Sequence, residues 1–445
     1  MLRELGSPST GILGRILEFL KNKIQPSDFS AFNQLARRTT DLSFRLEQEL
    51  KECFHGVDQF LVDQREGNPV SSYGQQERIL PATRTLPLWS TVELAWETAK
   101  QTLNLLLGVS SEIHKALGTL ETASQTELED TLSDISGLHR RFSEISSFFD
   151  EFVNESDMKP DHIYWAEISS FNGHLSLHIC PLTIGTLMEN HLWHEKASVI
   201  LTSATLTTSG SFDYLRQRLF ADEADELALG SPFDYENAAL LYLVNDISEP
   251  SDGANYQRAV EQTLIQLSKM TRGRLLALFT SYAQLKRTAQ AITPALSTAG
   301  IQVYVQGEGA SANMLLENFR AAAQAILLGT RAFWEGVDLP GEALSTLVIV
   351  KLPFDVPTDP IIAARAETFD DPFTEFSLPE AILRFRQGFG RLIRTHSDRG
   401  VVAVLDRRLL TKSYGKAFLD SIPDCTRNIG SMHDLPANAA RWLNL

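Results

Sequence analysis

Two arginines and a glutamine late in the sequence have side chains and a spacing that suit contact with nucleotide phosphates. Gln387, Arg391 and Arg394 are spaced so that a helix running through all three would align them on one face. Guanidinium groups presented in this way can bridge phosphates held by another domain, where an arginine finger raises the rate by about 10³ to 10⁵. Gly390 would let the backbone approach a neighbour closely. The alternative is an amphipathic helix whose arginines face solvent.

A second group of polar and small residues follows the apolar run 325–328. Its members are Gly329, Thr330, Arg331, Glu335, Gly336 and Asp338. Because the ligands of open parallel sheets gather where the strands end, these residues are candidates for ligand binding. Taken singly, Trp334 fits core packing equally well, and Asp338 fits a helix cap.

Small hydroxyl residues follow two other apolar runs. Ser203 and Thr205 come after the run 197–201, and Thr280 closes the run 275–280. The tripeptide Ser-Ala-Thr at 203–205 is common and says little alone, so its meaning depends on the motifs around it.

The elements that must position these residues alternate between strands and helices. Helical segments such as 256–269 and 282–296 separate short apolar runs, a pattern typical of a parallel sheet with crossover helices. The strand-like runs are 240–244, 275–280, 301–305, 325–328, 346–350 and 400–405. The sequence therefore predicts an α/β domain in this part of the chain.

The N-terminal part has a different pattern. Apolar residues recur at helical spacing over 30–54, and 91–153 predicts two or three long helices, with a short strand-like stretch at 79–88 between them. Strand-like alternation follows at 163–168 and 175–180, and the apolar run 197–201 also predicts a strand. We therefore expect a mostly helical domain over about the first 155 residues, followed by a β-rich element.

Composition limits the function classes further. The chain has 445 residues, 43% of them hydrophobic, and a net charge of −16, so it can bury a sizeable core but has no overall positive field for nucleic acid. Any strand binding must come from local basic patches. Cys53, Cys180 and Cys425 are isolated, which favours a reducing compartment over a zinc or iron–sulfur site within the chain. No run of about 18 apolar residues occurs, and we expect a cytoplasmic protein without a membrane partner.

In this order the candidate segments resemble motifs III, IV, V and VI of superfamily 2 helicases. The segments are 199–206, 278–282, 328–341 and 387–394. Four further matches are similar to the DinG/XPD family: Phe-Trp-Glu-Gly-Val-Asp at 333–338, Ser-Pro-Phe at 231–233, Lys-Leu-Pro-Phe at 351–354 and Leu-Asp-Arg-Arg at 405–408. The resemblance covers roughly residues 165–414.

The resemblance implies an α/β fold with a RecA-like parallel-sheet domain, helicase domain 2, at 231–445. Terminal strands of helicase domain 1, with motif III, would lie at 159–230, and a mostly helical arch-like insertion at 1–158. The implied function is that of the C-terminal part of an ATP-dependent DNA helicase, which couples ATP hydrolysis to translocation on single-stranded DNA.

The resemblance also implies a role for each candidate residue. The residues lining the ATP cleft, with both arginines facing the β and γ phosphates, would be Gln387, Arg391 and Arg394. Glu335 and Asp338 would lie near the nucleotide's sugar or its coordinating water network, and Gly336 and Gly390 would also belong to the nucleotide-binding residues. Nucleic acid would contact Thr280, Gly329, Thr330 and Arg331. Hydrolysis would be coupled to strand movement by Ser203 and Thr205.

A single-strand groove usually combines charge along the backbone with aromatic rings that stack on bases. The candidates are Arg331, Phe333, Trp334, Phe354 and Arg384. Ordinary packing explains the aromatic members at least equally well.

The motifs of a first motor domain are missing from the sequence. A helicase motor needs a glycine-rich loop ending in Gly-Lys-Ser or Gly-Lys-Thr, but the only Gly-Lys pair, Gly415-Lys416, is followed by Ala417. Asp-Glu-Ala-Asp at 222–225 spells the acidic box that binds magnesium in many helicases. It follows motif III instead of preceding it, so we interpret it as a solvated turn.

We therefore expect a chain that begins after the acidic box and needs a first motor domain, in cis or in trans. That domain would make most of the contacts with ATP and Mg²⁺. The chain alone would therefore lack ATPase activity. The family's iron–sulfur cysteines would lie in a region this chain does not encode. The alternative is a non-catalytic nucleic-acid- or partner-binding module derived from a helicase. A phosphate loop and acidic box in the adjacent coding sequence would favour the helicase.

Overall fold

The computed structural model describes residues 2, 5, 11–21, 23–71, 74–119, 125–170, 172–208, 210–334 and 343–445, and the side chains of 125–128 are outside that description. The chain divides into two compact units, Met1–Leu182 and Thr183–Leu445. None of the described helices has both the length and the apolar composition of a membrane span.

The first unit is mostly helical, as the apolar spacing predicts. Its long helices bury aromatic rings against one another: Trp89, Trp96 and Phe152 are fully buried, and Trp96 stacks on Phe149 with 4.7 Å between ring centroids. An antiparallel sheet in the order β1-β2-β3 packs one face on this core. The elements are α1 (Ile12–Leu20), α2 (Pro26–Gln64), β1 (Gln75–Arg78), α3 (Pro81–Arg84), α4 (Pro87–Gly118), α5 (Gln125–Val153), β2 (His162–Ile168) and β3 (Leu175–Pro181).

The strand predicted at 79–88 is wrong in position. Strand β1 ends at Arg78, and helices α3 and α4 begin at Pro81 and Pro87. Proline lacks the amide hydrogen that a β ladder needs, and its fixed φ suits the first turn of a helix. Each proline therefore starts a helix where the apolar pattern alone suggested a strand.

The second unit contains a seven-stranded sheet in the order β10-β4-β9-β8-β5-β7-β6. All of its strand pairs are parallel, which confirms the predicted α/β class. The six predicted strands are present, with bounds that differ by one or two residues, and a seventh was not predicted. The strands are β4 (Ala239–Val244), β5 (Leu275–Leu278), β6 (Gln302–Val305), β7 (Ala325–Gly329), β8 (Thr346–Ile349), β9 (Gly400–Val404) and β10 (Thr426–Gly430).

Both faces of this sheet are buried. Leu241 and Leu243 of β4 face the core that contains Phe385, whereas Leu240 and Tyr242 face a second core on the other side. Burial on two faces explains why these strands are continuous apolar runs. The helices of the unit are α6 (Gly185–Met188), α7 (Asp213–Leu219), α8 (Tyr235–Ala238), α9 (Gly253–Met270), α10 (Tyr282–Ser297), α11 (Ala312–Ala321), α12 (Arg331–Trp334), α13 (Pro360–Ala366), α14 (Leu378–Phe389), α15 (Arg408–Thr411), α16 (Gly415–Ser421) and α17 (Leu435–Trp442).

The apolar run 197–201 is not a strand, contrary to its pattern. It is irregular and pairs with no strand of the described chain, and Ile200 is 88% exposed. An apolar strand becomes stable only when neighbouring strands and a packed face cover it, and neither sheet of this chain supplies them.

The domain boundaries at 158/159 and 230/231 remain predictions. Strands β2 and β3 fall within the predicted segment 159–230, yet they pair with β1 in the first unit. The observed division between compact units lies after Leu182.

Candidate functional site

A cavity of about 920 Å³ in the second unit brings several predicted residues together. Four stretches of chain line it, at 203–212, 227–235, 386–394 and 420–423. The predicted residues that it unites are Ser203, Thr205, Gln387, Gly390, Arg391 and Arg394. Motifs III and VI of the sequence therefore meet at one concave surface.

The predicted helix through motif VI is shorter than expected. Helix α14 ends at Phe389, so Gln387 lies on the helix whereas Arg391 and Arg394 lie on the turn that follows it. The prediction that one helix face carries all three side chains is therefore wrong for Arg391 and Arg394. Two glycines, Gly388 and Gly390, weaken the helix here, and the turn lets the next residues bury apolar side chains beneath it.

The close approach expected at Gly390 occurs instead at Gly388. A Cβ atom added to Gly388 would lie 2.8 Å from the Trp334 ring, whereas one added to Gly390 would have its nearest neighbour, the carbonyl oxygen of Arg386, at 3.4 Å. Gly388 is required by packing, and Gly390 is not.

We expect Gly388→Ala to destabilise the second unit by about 1–3 kcal/mol, because the added methyl group must displace the Trp334 indole. Gly390→Ala is the matched control: Gly390 has φ −66°, which alanine adopts readily, and its stability should be nearly unchanged. Native-state hydrogen exchange of helix α14 and strand β7 compares the two variants within the second unit. Equal stability would contradict the packing described for Gly388.

Backbone groups fix the turn that carries the two arginines. The guanidinium of Arg391 donates to the carbonyl oxygen of Trp334 from Nη2 at 2.8 Å and from Nε at 3.2 Å. The amides of Arg394 and Thr395 donate to Asp398 Oδ2 at 2.8 and 2.9 Å. Asp398 is buried, and it was not predicted from the sequence. It binds the main chain of Arg394.

Gln387 offers a polar atom to the cavity. Its Oε1 is buried and accepts no hydrogen bond from any described residue, although the side chain lines the cavity. A buried acceptor left unsatisfied costs about 1–3 kcal/mol, and because Gln387 lines the cavity, a molecule bound there could offset that cost by donating to Oε1. A nucleotide offers such donors in its ribose hydroxyls, its base amine and the water around its phosphates.

Arg386 is a site residue that the sequence analysis missed. Its Nη1 donates to Thr207 Oγ1 at 2.8 Å and to the Thr207 carbonyl oxygen at 3.0 Å, which ties helix α14 to the stretch containing Ser203 and Thr205. Burial lowers the pKa of Arg386. The hydroxyls of Ser203 and Thr205 lie 3.1 Å apart.

A second polar surface lies at the carboxyl ends of β5, β6 and β7. Gln306, which follows β6, accepts through Oε1 from the amide of Thr330 at 2.7 Å and from its hydroxyl at 3.0 Å. Its Nε2 donates to the hydroxyl of Tyr282 at 2.6 Å. Thr330 is only 5% exposed, whereas the Tyr282 side chain is 46% exposed. The sequence analysis missed both Gln306 and Tyr282.

The remaining candidates for a single-strand groove lie in different environments. Phe333 and Trp334 are buried core residues, and Phe354 packs on Phe373 with 5.8 Å between centroids, so packing explains all three. Arg384 is paired with Asp355 at 2.6 Å. Among the predicted groove residues, Arg331 is the exposed cation, and it lies beside Thr330. Thr280 follows β5 and is half-buried.

Three predicted nucleotide residues, Glu335, Gly336 and Asp338, lie outside the described residues. Their role stays a prediction. The false acidic box behaves as expected: Asp222 and Glu223 lie in an exposed turn after α7.

Parts of this chain match a known family model and known proteins. Residues 264–425 match the family model described as helicase C-terminal domain. The chain is 38% identical over 289 residues to the 3'-5' exonuclease DinG of Bacillus subtilis, covering 62% of this chain and 30% of that protein. It is 34% identical over 353 residues to the ATP-dependent DNA helicase YoaA of Haemophilus influenzae, covering 77% of this chain and 51% of that protein.

A third relative, the ATP-dependent DNA helicase YoaA of Escherichia coli, is 36% identical over 273 residues, which cover 60% of this chain and 42% of that protein. The chain thus spans between 30% and 51% of the length of these relatives. Among solved structures, an XPD helicase aligns with a TM-score of 0.50 and 18% identity, covering 86% of this chain and 64% of that chain. That likeness concerns the fold.

Proposed function

Because this chain belongs to the DinG/XPD-type superfamily 2 helicases and corresponds to their C-terminal portion, we propose that it is the second motor domain of an ATP-dependent DNA helicase. It closes over ATP held by a first motor domain and couples hydrolysis to movement along single-stranded DNA. The exonuclease named for one relative is not part of this proposal, since the chain covers 30% of that protein.

One observation carries the proposal. Gln387, Arg391 and Arg394 line the same cavity as Ser203 and Thr205. Groups suited to a nucleotide's phosphates therefore share a surface with the hydroxyl residues of motif III. A binding module without catalysis would not need that convergence.

The arginines act on charge that develops during hydrolysis. Arg391 and Arg394 approach the β and γ phosphates when the two domains close, and they stabilise the negative charge that builds on the transferred phosphoryl group. Gln387 orients the nucleotide through its unsatisfied Oε1. Release of the products reopens the cleft, a two-state motion driven by the difference in nucleotide affinity between the states.

The first motor domain, in the same polypeptide or in a separate one, supplies what the described residues do not. In the described part of the chain no three His, Cys, Asp or Glu side chains are grouped to hold a metal ion. We assign Mg²⁺ and the phosphate loop to the first domain.

Exposed apolar residues support such a neighbour. Ile200 is 88% exposed, Leu227 77% and Leu229 81%, all in irregular stretches. Exposed apolar side chains outside helices and strands are suited to burial against another domain. The stretches 197–201 and 225–232 are therefore the surface that the first domain's sheet covers in this proposal.

The direct test measures ATP hydrolysis stimulated by single-stranded DNA. The chain alone should be inactive, and activity should appear when a phosphate-loop-containing first domain is added. A well-formed complex that fails to hydrolyse ATP would favour the alternative of a strand- or partner-binding module. Activity from the chain alone would contradict the assignment of the phosphate loop to another domain.

Single-stranded DNA should also stack on Tyr282. The ring is exposed and oriented by its bond to Gln306, next to Thr330. We expect Tyr282→Leu to weaken binding of oligo(dT) by about 1–3 kcal/mol, the usual contribution of one stacked base. Tyr282→Phe keeps the ring and should retain most of the affinity. If Leu and Phe weaken binding equally, the hydroxyl matters and stacking does not.

A further inference from the structure

A lysine at the carboxyl end of β8 has no role in the proposed function so far. Lys351 follows β8 directly, and β8 lies between β9 and β5 in the sheet. Its side chain is therefore on the same sheet edge as Thr280, which follows β5, and Thr330, which follows β7. Lys351 does not line the cavity that contains Arg391 and Arg394.

The carboxylate that acts on Lys351 from the neighbouring strand β9 is already bound to other groups. Asp406 follows β9 and is 1% exposed. It binds the Arg408 guanidinium at 2.6 Å and accepts from the amide of Leu352 at 2.9 Å. Asp406 therefore serves Arg408 and the main chain.

Lys351 is left as a half-buried ammonium. It forms no ion pair or hydrogen bond with any described residue. Burial and the positive charge of Arg408 lower the pKa of Lys351, and the negative charge of Asp406 opposes them only in part. Holding a cation at such a position is unfavourable unless an anion offsets its lost hydration.

The strand spacing gives the distance from Lys351 to the two threonines at this edge of the sheet. Neighbouring strands lie about 4.8 Å apart, and Lys351 is one strand from Thr280 and two strands from Thr330. It is thus roughly 10 Å from Thr330 along the edge, a distance that a short stretch of nucleic-acid backbone spans. We propose that Lys351 binds a backbone phosphate of the single strand that crosses Thr280 and Thr330. This inference rests on the proposed function.

The test uses the salt dependence of binding. Each phosphate neutralised by a protein cation contributes about 0.7 to the slope of log affinity against log salt for single strands. Anisotropy of a labelled oligo(dT) is measured over a salt series with the chain complemented by the first domain. Lys351→Met should weaken binding several-fold at low salt and reduce the slope by about 0.7, whereas Lys351→Arg should keep the slope. The same series with oligo(U) tells whether the contact is shared by RNA.

The control removes an identical charge from the other edge of the sheet. Lys269 is exposed near the end of α9, on the side where β5 begins, and Lys269→Met should leave affinity and slope unchanged. Thermal unfolding of Lys351→Met separates binding from folding, since loss of an unpaired half-buried ammonium should not lower the melting temperature. A lower melting temperature with an unchanged slope would overturn the inference and make Lys351 a structural residue. Absence of oligo(dT) binding by the parent assembly would overturn the proposed function and the inference together.

Discussion

Arg394→Ala should lower single-strand-stimulated ATP hydrolysis by a factor of about 10³ or more in the complemented assembly. The side chain lines the cavity beside Gln387 and Arg391, and in the proposed mechanism its loss removes a cation that faces the γ phosphate only when the domains close. Nucleotide binding in the open state should change much less, so the effect should fall on kcat more than on KM.

The alanine variant should fold normally. The main-chain amides of Arg394 and Thr395 donate to Asp398, and the substitution keeps both amides, so the turn keeps these two bonds. Arg287→Ala is the matched control, because Arg287 is exposed on helix α10 and alanine favours helix. Arg394→Lys keeps the charge but loses the planar donor pair, and it should be intermediate. Full activity of Arg394→Ala would refute its role as an arginine finger.

Asp406→Asn should destabilise the second unit by about 3–5 kcal/mol, the usual cost of breaking a buried ion pair by removing one partner. The carboxylate holds Arg408 and also the Leu352 amide, which joins the loops after β8 and β9. Asparagine keeps the size but leaves the Arg408 guanidinium without its counter-charge.

Native-state hydrogen exchange of β8 and β9 measures this effect within the second unit, where global unfolding of a two-unit chain would blur it. Asp370→Asn is the control, because Asp370 is exposed and its substitution should leave exchange unchanged. Similar exchange in both variants would mean that Asp406 contributes little to the stability of these strands.

The sheet could be predicted from the sequence because burial on both faces leaves a simple apolar signal. Strand β10 could not, since Thr426 and Arg427 are exposed polar residues on an edge strand. The strand predicted at 197–201 is wrong for the opposite reason. Its apolar pattern is that of a buried strand, but strand formation depends on neighbours, and neither sheet of the described residues places a strand beside it.

Motif order was enough to predict that Gln387, Arg391 and Arg394 would line one site. It did not predict that the two arginines lie on a turn after the helix. The helix ends before the arginines because tertiary packing favours a turn there, and helical spacing contains no information about that packing. Gln306, Asp398 and Arg386 were missed for a related reason. The side chain of Gln306 binds Thr330, 24 positions away, and Arg386 binds Thr207 across 179 positions, so no local spacing indicates either pair.

Helix α12 connects the two polar surfaces over four residues, Arg331–Trp334. At its start the Thr330 amide is bound by Gln306, and at its end the Trp334 carbonyl oxygen accepts from Arg391. Four helical residues rise by about 6 Å, and the Trp334 ring is wedged against Gly388. Four helical residues, with no irregular stretch between them, therefore join the residue that the single strand contacts in the proposed function to an arginine that contacts the nucleotide, which is the connection that coupling of hydrolysis to strand movement requires.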